Sequence, residues 1–289
     1  MNNMLYDLSG MIESSLISAL LEIKKIADGL KVDFLVVGAT ARDIIMQHYY
    51  KIKSPRMTKD IDIAVCVANW EEYKALTDAL LATGEFLKGT LIQRYNFKGT
   101  FIDIIPFGDI SGRDNTISWP PDHETIMCTV GFMDVYKNSI TFRLNSDPVL
   151  EIKLASIPGL AIMKLLAWSD DPNRQKDAAD LLFIMHNYQY AGIEERLYVK
   201  ETSLLQEEEF DNEQAGIRLL GRDMARISNS DTAKALMDIL VSETGEDSPY
   251  KLVSQMASNS DRFDANMFLL EKLKQGFVEG LGQQESRHE

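Results

Sequence analysis

Two aspartates, Asp60 and Asp62, interrupt a run of isoleucine, alanine and valine in TKDIDIAV, Thr58 to Val65. Side chains alternate along a strand, so these carboxylates point the same way, about 7 Å apart, while Ile61 and Ile63 point the other way into a core. Two charges at that distance repel by roughly 2.5 kcal/mol at an effective dielectric of ~20. A cation between them removes the cost. Magnesium (Mg2+, or Mn2+) suits the pair, because it takes carboxylates together with substrate phosphates. Asp103, a lone acid within FIDIIPF, supplies a third carboxylate. If its strand lies beside that of Asp62, three acids converge, which is the geometry for two-metal phosphoryl chemistry.

Upstream, VVGATARD supplies a place for the phosphates. Gly38 ends a strand and Thr40 begins a helix. Glycine allows the backbone to approach a ligand closely, and a helix N-terminus presents N–H groups and the positive end of its dipole. Arg42, in the first turn, adds a charge-assisted contact. A lone strand–Gly–helix turn is a weak signal, and an acidic strand one element later strengthens it.

These residues need elements to hold them. The first half alternates strand and helix signals. Residues 11–29 place Ile12, Leu16, Leu20, Ile23 and Ala27 on one helical face, with Gly29 as the C-cap. DFLVVGA reads as a buried strand, TARDIIMQHYY as a helix and KDIDIAVCV as a second strand. NWEEYKALTDALLAT reads as a helix capped by Asn69. LIQRYNF and FIDIIPF, separated by KGT, read as a hairpin. Residues 107–138 are irregular, and SITFRL and VLEIKLA flank the turn NSDP. Beyond Pro158 the periodicity is helical, and the tail GQQESRHE reads as frayed. Residues 1–155 therefore form an α/β core with an N-terminal helix, and 156–289 a helical domain contributing to the cleft.

Lys164 is the one charge in IPGLAIMKLLAW, a helix apolar nearly all round. It must either snorkel to water or meet an anion, either a nucleotide phosphate or an aspartate. Lys176 and Asp180, four apart, can pair along one helix face while Asp177 points elsewhere. The Trp119-Pro120-Pro121 turn can stack a base or pack. His48, His123, His186 and His288 are scattered and suggest no zinc site. The run QEEEFDNE reads as a solvated loop or helix end.

Composition sets the outer limits. The chain has 289 residues, 45% hydrophobic and 26% charged, enough for one large core or two domains. No run of 18 apolar residues exists, so no membrane span is expected. Two cysteines without metal-like spacing read as reduced thiols of a cytoplasmic protein or as small core residues, and no signal-peptide pattern is expected. The net charge is −14: residues 1–155 carry 16 basic and 20 acidic side chains (−4), and 156–289 carry 14 and 24 (−10). Phosphate-gripping proteins are usually basic, so the second half argues against a general nucleic-acid platform.

The series VVGATARD, TKDIDIAV and FIDIIPFG resembles the nucleotidyltransferase superfamily, the polymerase-beta-like fold. GATARD is similar to the GGxxRD element of its CCA-adding and poly(A) polymerase branch. GLAIMKLLAWSDDPNRQKDAADLL resembles the KLxAxxxR…KDxxDL signature of AbiEii/AbiGii-type nucleotidyltransferases, the toxins of type IV toxin–antitoxin systems. The resemblance spans roughly residues 30–190. It implies an α+β fold: a small mixed or antiparallel sheet with flanking helices, then a helical C-terminal domain. It implies Asp60, Asp62 and Asp103 as ligands of Mg2+ (or Mn2+), Gly38, Ala39 and Thr40 as the triphosphate turn, and Lys164, Lys176, Asp177 and Asp180 as a second motif. Ala39 stands where the superfamily prefers Gly or Ser, so a hydroxyl for the phosphate must come from Thr40. The implied activity is transfer of a nucleoside monophosphate from an NTP to an acceptor hydroxyl on tRNA, a protein or a small molecule, with an antitoxin protein as partner. The competing reading is a catalytically inactive member that binds nucleotide or a partner. Nucleotide-sugar transfer by the Asp-x-Asp pair is disfavoured by the glycine turn.

Overall fold

The computed structural model describes residues 5–54, 56, 60–256 and 262–285. Thr58 and Lys59 of the acidic stretch, and residues 286–289 of the tail, lie outside them. The chain divides into two compact units, Met1–Ser156 and Ile157–Glu289.

The first unit contains an eight-stranded mixed sheet with the order β1-β9-β10-β2-β3-β6-β5-β4. In chain order its elements are β1 (Tyr6–Asp7), α1 (Ser14–Leu30), β2 (Asp33–Val37), α2 (Gly38–Arg42), β3 (Ile61–Cys66), α3 (Trp70–Ala82), β4 (Phe86–Lys88), β5 (Arg94–Phe97) and β6 (Thr100–Phe107), then β7 (Thr116–Ser118), β8 (Ile126–Cys128), α4 (Phe132–Lys137), β9 (Ile140–Ser146) and β10 (Val149–Leu154). Strand β3 sits between β2, antiparallel to it, and β6, parallel to it. Its apolar residues fill the core: Ile63, Ala64 and Val65 are fully buried beside Leu35 and Val36 of β2 and Ile102 and Ile104 of β6.

Several local details differ from the sequence reading. Helix α1 runs to Leu30 and is closed by Lys31 in the left-handed region (φ 59°), not by Gly29. After α2 the chain continues as a π-helical stretch, Asp43–Tyr49, whose wider turn buries Ile44, Ile45 and Met46 together. The irregular segment carries the β7–β8 hairpin and α4. Trp119 is buried there against Trp70, with ring centroids 5.3 Å apart, so it packs and does not offer a face for a base.

The second unit is all helical: α5 (Ile157–Asp170), α6 (Gln175–Asn187), α7 (Glu194–Val199), α8 (Thr202–Glu207), α9 (Asn212–Ile227), α10 (Ser230–Thr244), α11 (Lys251–Met256) and α12 (Phe263–Glu285). The tail expected to fray is helical as far as Glu285. Helices α9 and α12 touch backbone to backbone. A Cβ on Gly276 would overlap the Arg218 carbonyl oxygen and lie 2.7 Å from its carbon, so only glycine fits. The acidic run is not simply solvated. Glu208 is buried and pairs with Arg218 at 2.8 Å, and Glu279 accepts from both Arg218 and Arg222. Burial lowers the Arg218 pKa, and hydrogen bonds to Glu279, Glu207 and Glu208 more than offset this, raising it above the ordinary arginine value.

Candidate active site

The parallel register of β3 and β6 sets Asp62 directly opposite Asp103. Asp60 immediately precedes β3, and its side chain is 41% exposed. All three expected carboxylates therefore stand at one end of two adjacent strands.

The glycine turn is built against this pair. Asp62 is also the register partner of Val37, the residue before Gly38. Gly38 has φ +63°, and a Cβ there would overlap the Asp62 carboxylate, lying 3.0 Å from its Cγ. Glycine is required twice: for the backbone conformation and for the space Asp62 occupies. Val37 has no side chain able to cap the helix that follows. Thr40 is buried, and its hydroxyl donates to the Asp60 carbonyl at 2.8 Å. That hydrogen bond ties the start of the helix to Asp60 and commits the hydroxyl's proton. Ala39 is buried. Arg42 is fully buried, held by Asp43 at 2.7 Å and by the Arg56 carbonyl at 3.3 Å, and so faces the interior and not the open turn.

One residue the sequence reading did not single out dominates the electrostatics. The β5–β6 connection is a two-residue turn, Lys98–Gly99, with φ 49° and 92°, and it places Arg94 opposite Asp103. The guanidinium grips Asp103 through both oxygens, Nε to Oδ1 at 2.8 Å and Nη2 to Oδ2 at 2.7 Å, and reaches Asp60 Oδ2 at 3.4 Å. The bidentate bonds to Asp103 raise the Arg94 pKa above its ordinary value against the pull of burial, and the charges of Asp60 and Asp62 add to the rise. The cation demanded by the acidic strand is here an arginine.

In the second unit, Lys164 resolves its own dilemma by meeting carboxylates. Its ammonium lies 2.7 Å from Asp177 Oδ1 and 2.8 Å from Asp180 Oδ2, and both acids are buried. Arg174 Nε stands 2.7 Å from the second Asp177 oxygen. The expected Lys176–Asp180 pair does not form: Asp180 turns inward to Lys164, and Lys176 is exposed. Lys164, Asp177 and Asp180 thus form one buried cluster, from which Lys176 is excluded.

The model of one protein family, the nucleotidyl transferase AbiEii toxin of type IV toxin–antitoxin systems, matches residues 20–247. The chain belongs to this family. It is a nucleotidyltransferase of the AbiEii kind, with the α+β fold expected from its motifs. Among solved structures, the antibiotic-resistance factor ANT(2'')-Ia covers 68% of this chain and 98% of its own, at 11% identity and a TM-score of 0.35. A CCA-adding enzyme in complex with ATP covers 92% of this chain at 19% identity and a TM-score of 0.32. The Thermotoga maritima CCA-adding enzyme complexed with tRNA covers 93% at 17% identity and a TM-score of 0.33. The chain spans about two thirds of the length of these CCA-adding enzymes, 66% and 67%. A search of curated proteins found no match.

Do the residues of this AbiEii-family site suit a divalent ion? The donors are carboxylate oxygens, the hard ligands that magnesium takes. Among the described residues, no group of three or more acidic, imidazole or thiol side chains stands arranged to hold a metal. Asp103 has both oxygens on Arg94, whereas Asp60 meets the same guanidinium through one oxygen at 3.4 Å, so the ion would be held by Asp60 and Asp62. That number is enough for magnesium when substrate phosphates complete the shell. No described helix is long and apolar enough to cross a membrane.

Proposed function

We propose that this AbiEii-family chain moves a nucleoside monophosphate from an NTP to an acceptor hydroxyl, dependent on Mg2+ or Mn2+, in the cytoplasm. The acceptor oxygen bonds to the α-phosphorus, the bond from that phosphorus to the pyrophosphate oxygen breaks, and the hydroxyl proton leaves to a base. The observation that carries this reading is the placement of Asp62 opposite Asp103, with Asp60 alongside and Gly38 pressed against the Asp62 carboxylate.

Each residue then has a task. Asp60 and Asp62 hold the ion. When bound, it offsets the negative charge of the triphosphate and of the leaving pyrophosphate. Asp103 orients or deprotonates the attacking hydroxyl. The turn Gly38–Ala39–Thr40 offers backbone N–H groups to the β- and γ-phosphates, and Thr40 fixes Asp60 through its carbonyl. Lys164, Asp177 and Asp180, a buried cluster in the second unit, and the exposed Lys176 are assigned to nucleotide binding by their likeness to the family's second motif.

The acceptor is tRNA, a protein or a small molecule, and the family points to an antitoxin protein as partner. The acidic charge of the second half favours an acceptor other than a large RNA. Incubating the chain with each labelled NTP, Mg2+ and a cell extract, then identifying what gains label, tests both the reaction and the acceptor. Transfer is expected with the natural chain and is lost in Asp60→Asn plus Asp62→Asn. Label transfer by the double variant at the natural rate would refute the mechanism.

A further inference from the structure

Arg94 is too firmly built into the acidic cluster to be an incidental partner. Its register on β5 puts it opposite Asp103, and both oxygens of that acid are engaged. Gly89 backs it closely: a Cβ there would lie 2.8 Å from Arg94 Cγ, so the side chain is braced from behind. On another side the guanidinium carbon lies 5.2 Å from the ring centroid of Phe101, whose own side is exposed. Because the same guanidinium also reaches Asp60, it bridges Asp103 and one of the two acids proposed to hold the ion.

We propose that Arg94 is an internal competitor for the divalent ion. Its guanidinium bridges Asp103 and Asp60, the role a cation between two carboxylates would take. A dication entering beside Asp60 and Asp62 is repelled by it and competes with it for the Asp60 carboxylate. Metal entry therefore requires the guanidinium to withdraw from Asp60 and release Asp103, with the Phe101 face as its nearest alternative support. The consequence is a site that binds free metal weakly and commits Asp103 only once an ion has arrived. This inference rests on the proposal above that Asp60 and Asp62 hold the ion.

Mn2+ titration of the full chain, followed by calorimetry or by the paramagnetic resonance of free Mn2+, tests it without any turnover. Arg94→Gln is expected to bind Mn2+ at least about tenfold more tightly than the natural chain, because a repelling charge is gone and Asp103 is released. Arg94→Lys, which keeps the charge but cannot span both oxygens, is expected to fall between them. Asp62→Asn is expected to lose binding. In thermal melts, Arg94→Gln should melt lower than the natural chain without metal and gain more from Mn2+. If Asp62→Asn loses binding while Arg94→Gln binds no more tightly than the natural chain, the competitor idea fails and the metal site stands. If Asp62→Asn binds Mn2+ as the natural chain does, or no variant binds it even with a non-hydrolysable NTP present, both fail. Should Arg94→Gln not fold, Arg94→Lys decides: equal or weaker affinity than the natural chain overturns the proposal.

Discussion

Replacing Gly38 with alanine tests whether the glycine turn and the acidic strand are one device. Two costs arise. The left-handed backbone, φ +63°, costs a non-glycine residue roughly 1–2 kcal/mol. The new Cβ also overlaps the Asp62 carboxylate, lying 3.0 Å from its Cγ and 3.1 Å from its Cβ, so the side chain must move, at about 1–3 kcal/mol for overpacking. Gly38→Ala should thus destabilise the chain by about 3 kcal/mol. The second cost belongs to Asp62 alone. In an Asp62→Ala background, which removes the carboxylate and keeps only the Cβ at 3.1 Å, Gly38→Ala should cost little beyond the backbone term, a coupling of about 1–3 kcal/mol between the two positions. An Asp62→Asn background keeps the volume and removes the charge, so the coupling should persist there in full. Urea denaturation of the singles and doubles, with slopes checked for constancy, supplies the cycle. Equal cost of Gly38→Ala in all three backgrounds would show that the turn needs glycine for its backbone only and does not set the position of Asp62.

Other expectations follow from features of the second unit and are checked by the same denaturation measurements. Lys164→Met strands the buried Asp177 and Asp180 without their shared ammonium and should cost about 3–5 kcal/mol, much of it recovered when both aspartates are also made asparagine. Gly276→Ala drives a methyl into the Arg218 backbone and should cost about 3 kcal/mol or more, whereas Gly282→Ala, with nothing within 4 Å of the new Cβ, should stabilise helix α12 by up to about 1 kcal/mol. Glu279 is pushed up by burial and brought below its usual 4.5 by hydrogen bonds from Arg218 and Arg222. A carboxylate whose folded pKa is depressed contributes stability above its unfolded pKa and loses it as pH falls through the folded one. Glu279→Gln should therefore destabilise at pH ~7, and the gap to the natural chain should narrow progressively below pH ~4.5. A gap independent of pH would refute the assignment.

The acidic triad and the glycine turn could be read from the sequence because their signals are local: alternation with period two, and a glycine between an apolar strand and a helix. Arg94 was hidden by one residue of loop length. Reading KGT as the hairpin loop makes three residues unpaired and shifts the register by one. The true loop is Lys98–Gly99, Thr100 pairs with Phe97, and counting back from there puts Arg94 on Asp103. A Lys-Gly pair able to take positive φ at both positions was the signal that could have revealed it. The roles of Thr40 and Arg42 were not legible for another reason. Which way a hydroxyl or a guanidinium turns depends on segments far along the chain: Asp60 for one, Arg56 for the other. Similarly, Asp180 could be placed on a helix face, but its preference for Lys164 over Lys176 depends on how α5 and α6 meet.

The facing of Asp62 and Asp103 across parallel strands has a use apart from chemistry. A slip of one residue between β3 and β6 would set an acid opposite an isoleucine and turn a carboxylate into the apolar interior. Wrong alignments are thereby penalised by the same two groups to which the proposed reaction is assigned. The acidic pair works as a spelling check on assembly, and a chain that has lost both acids should find misaligned sheets easier to tolerate.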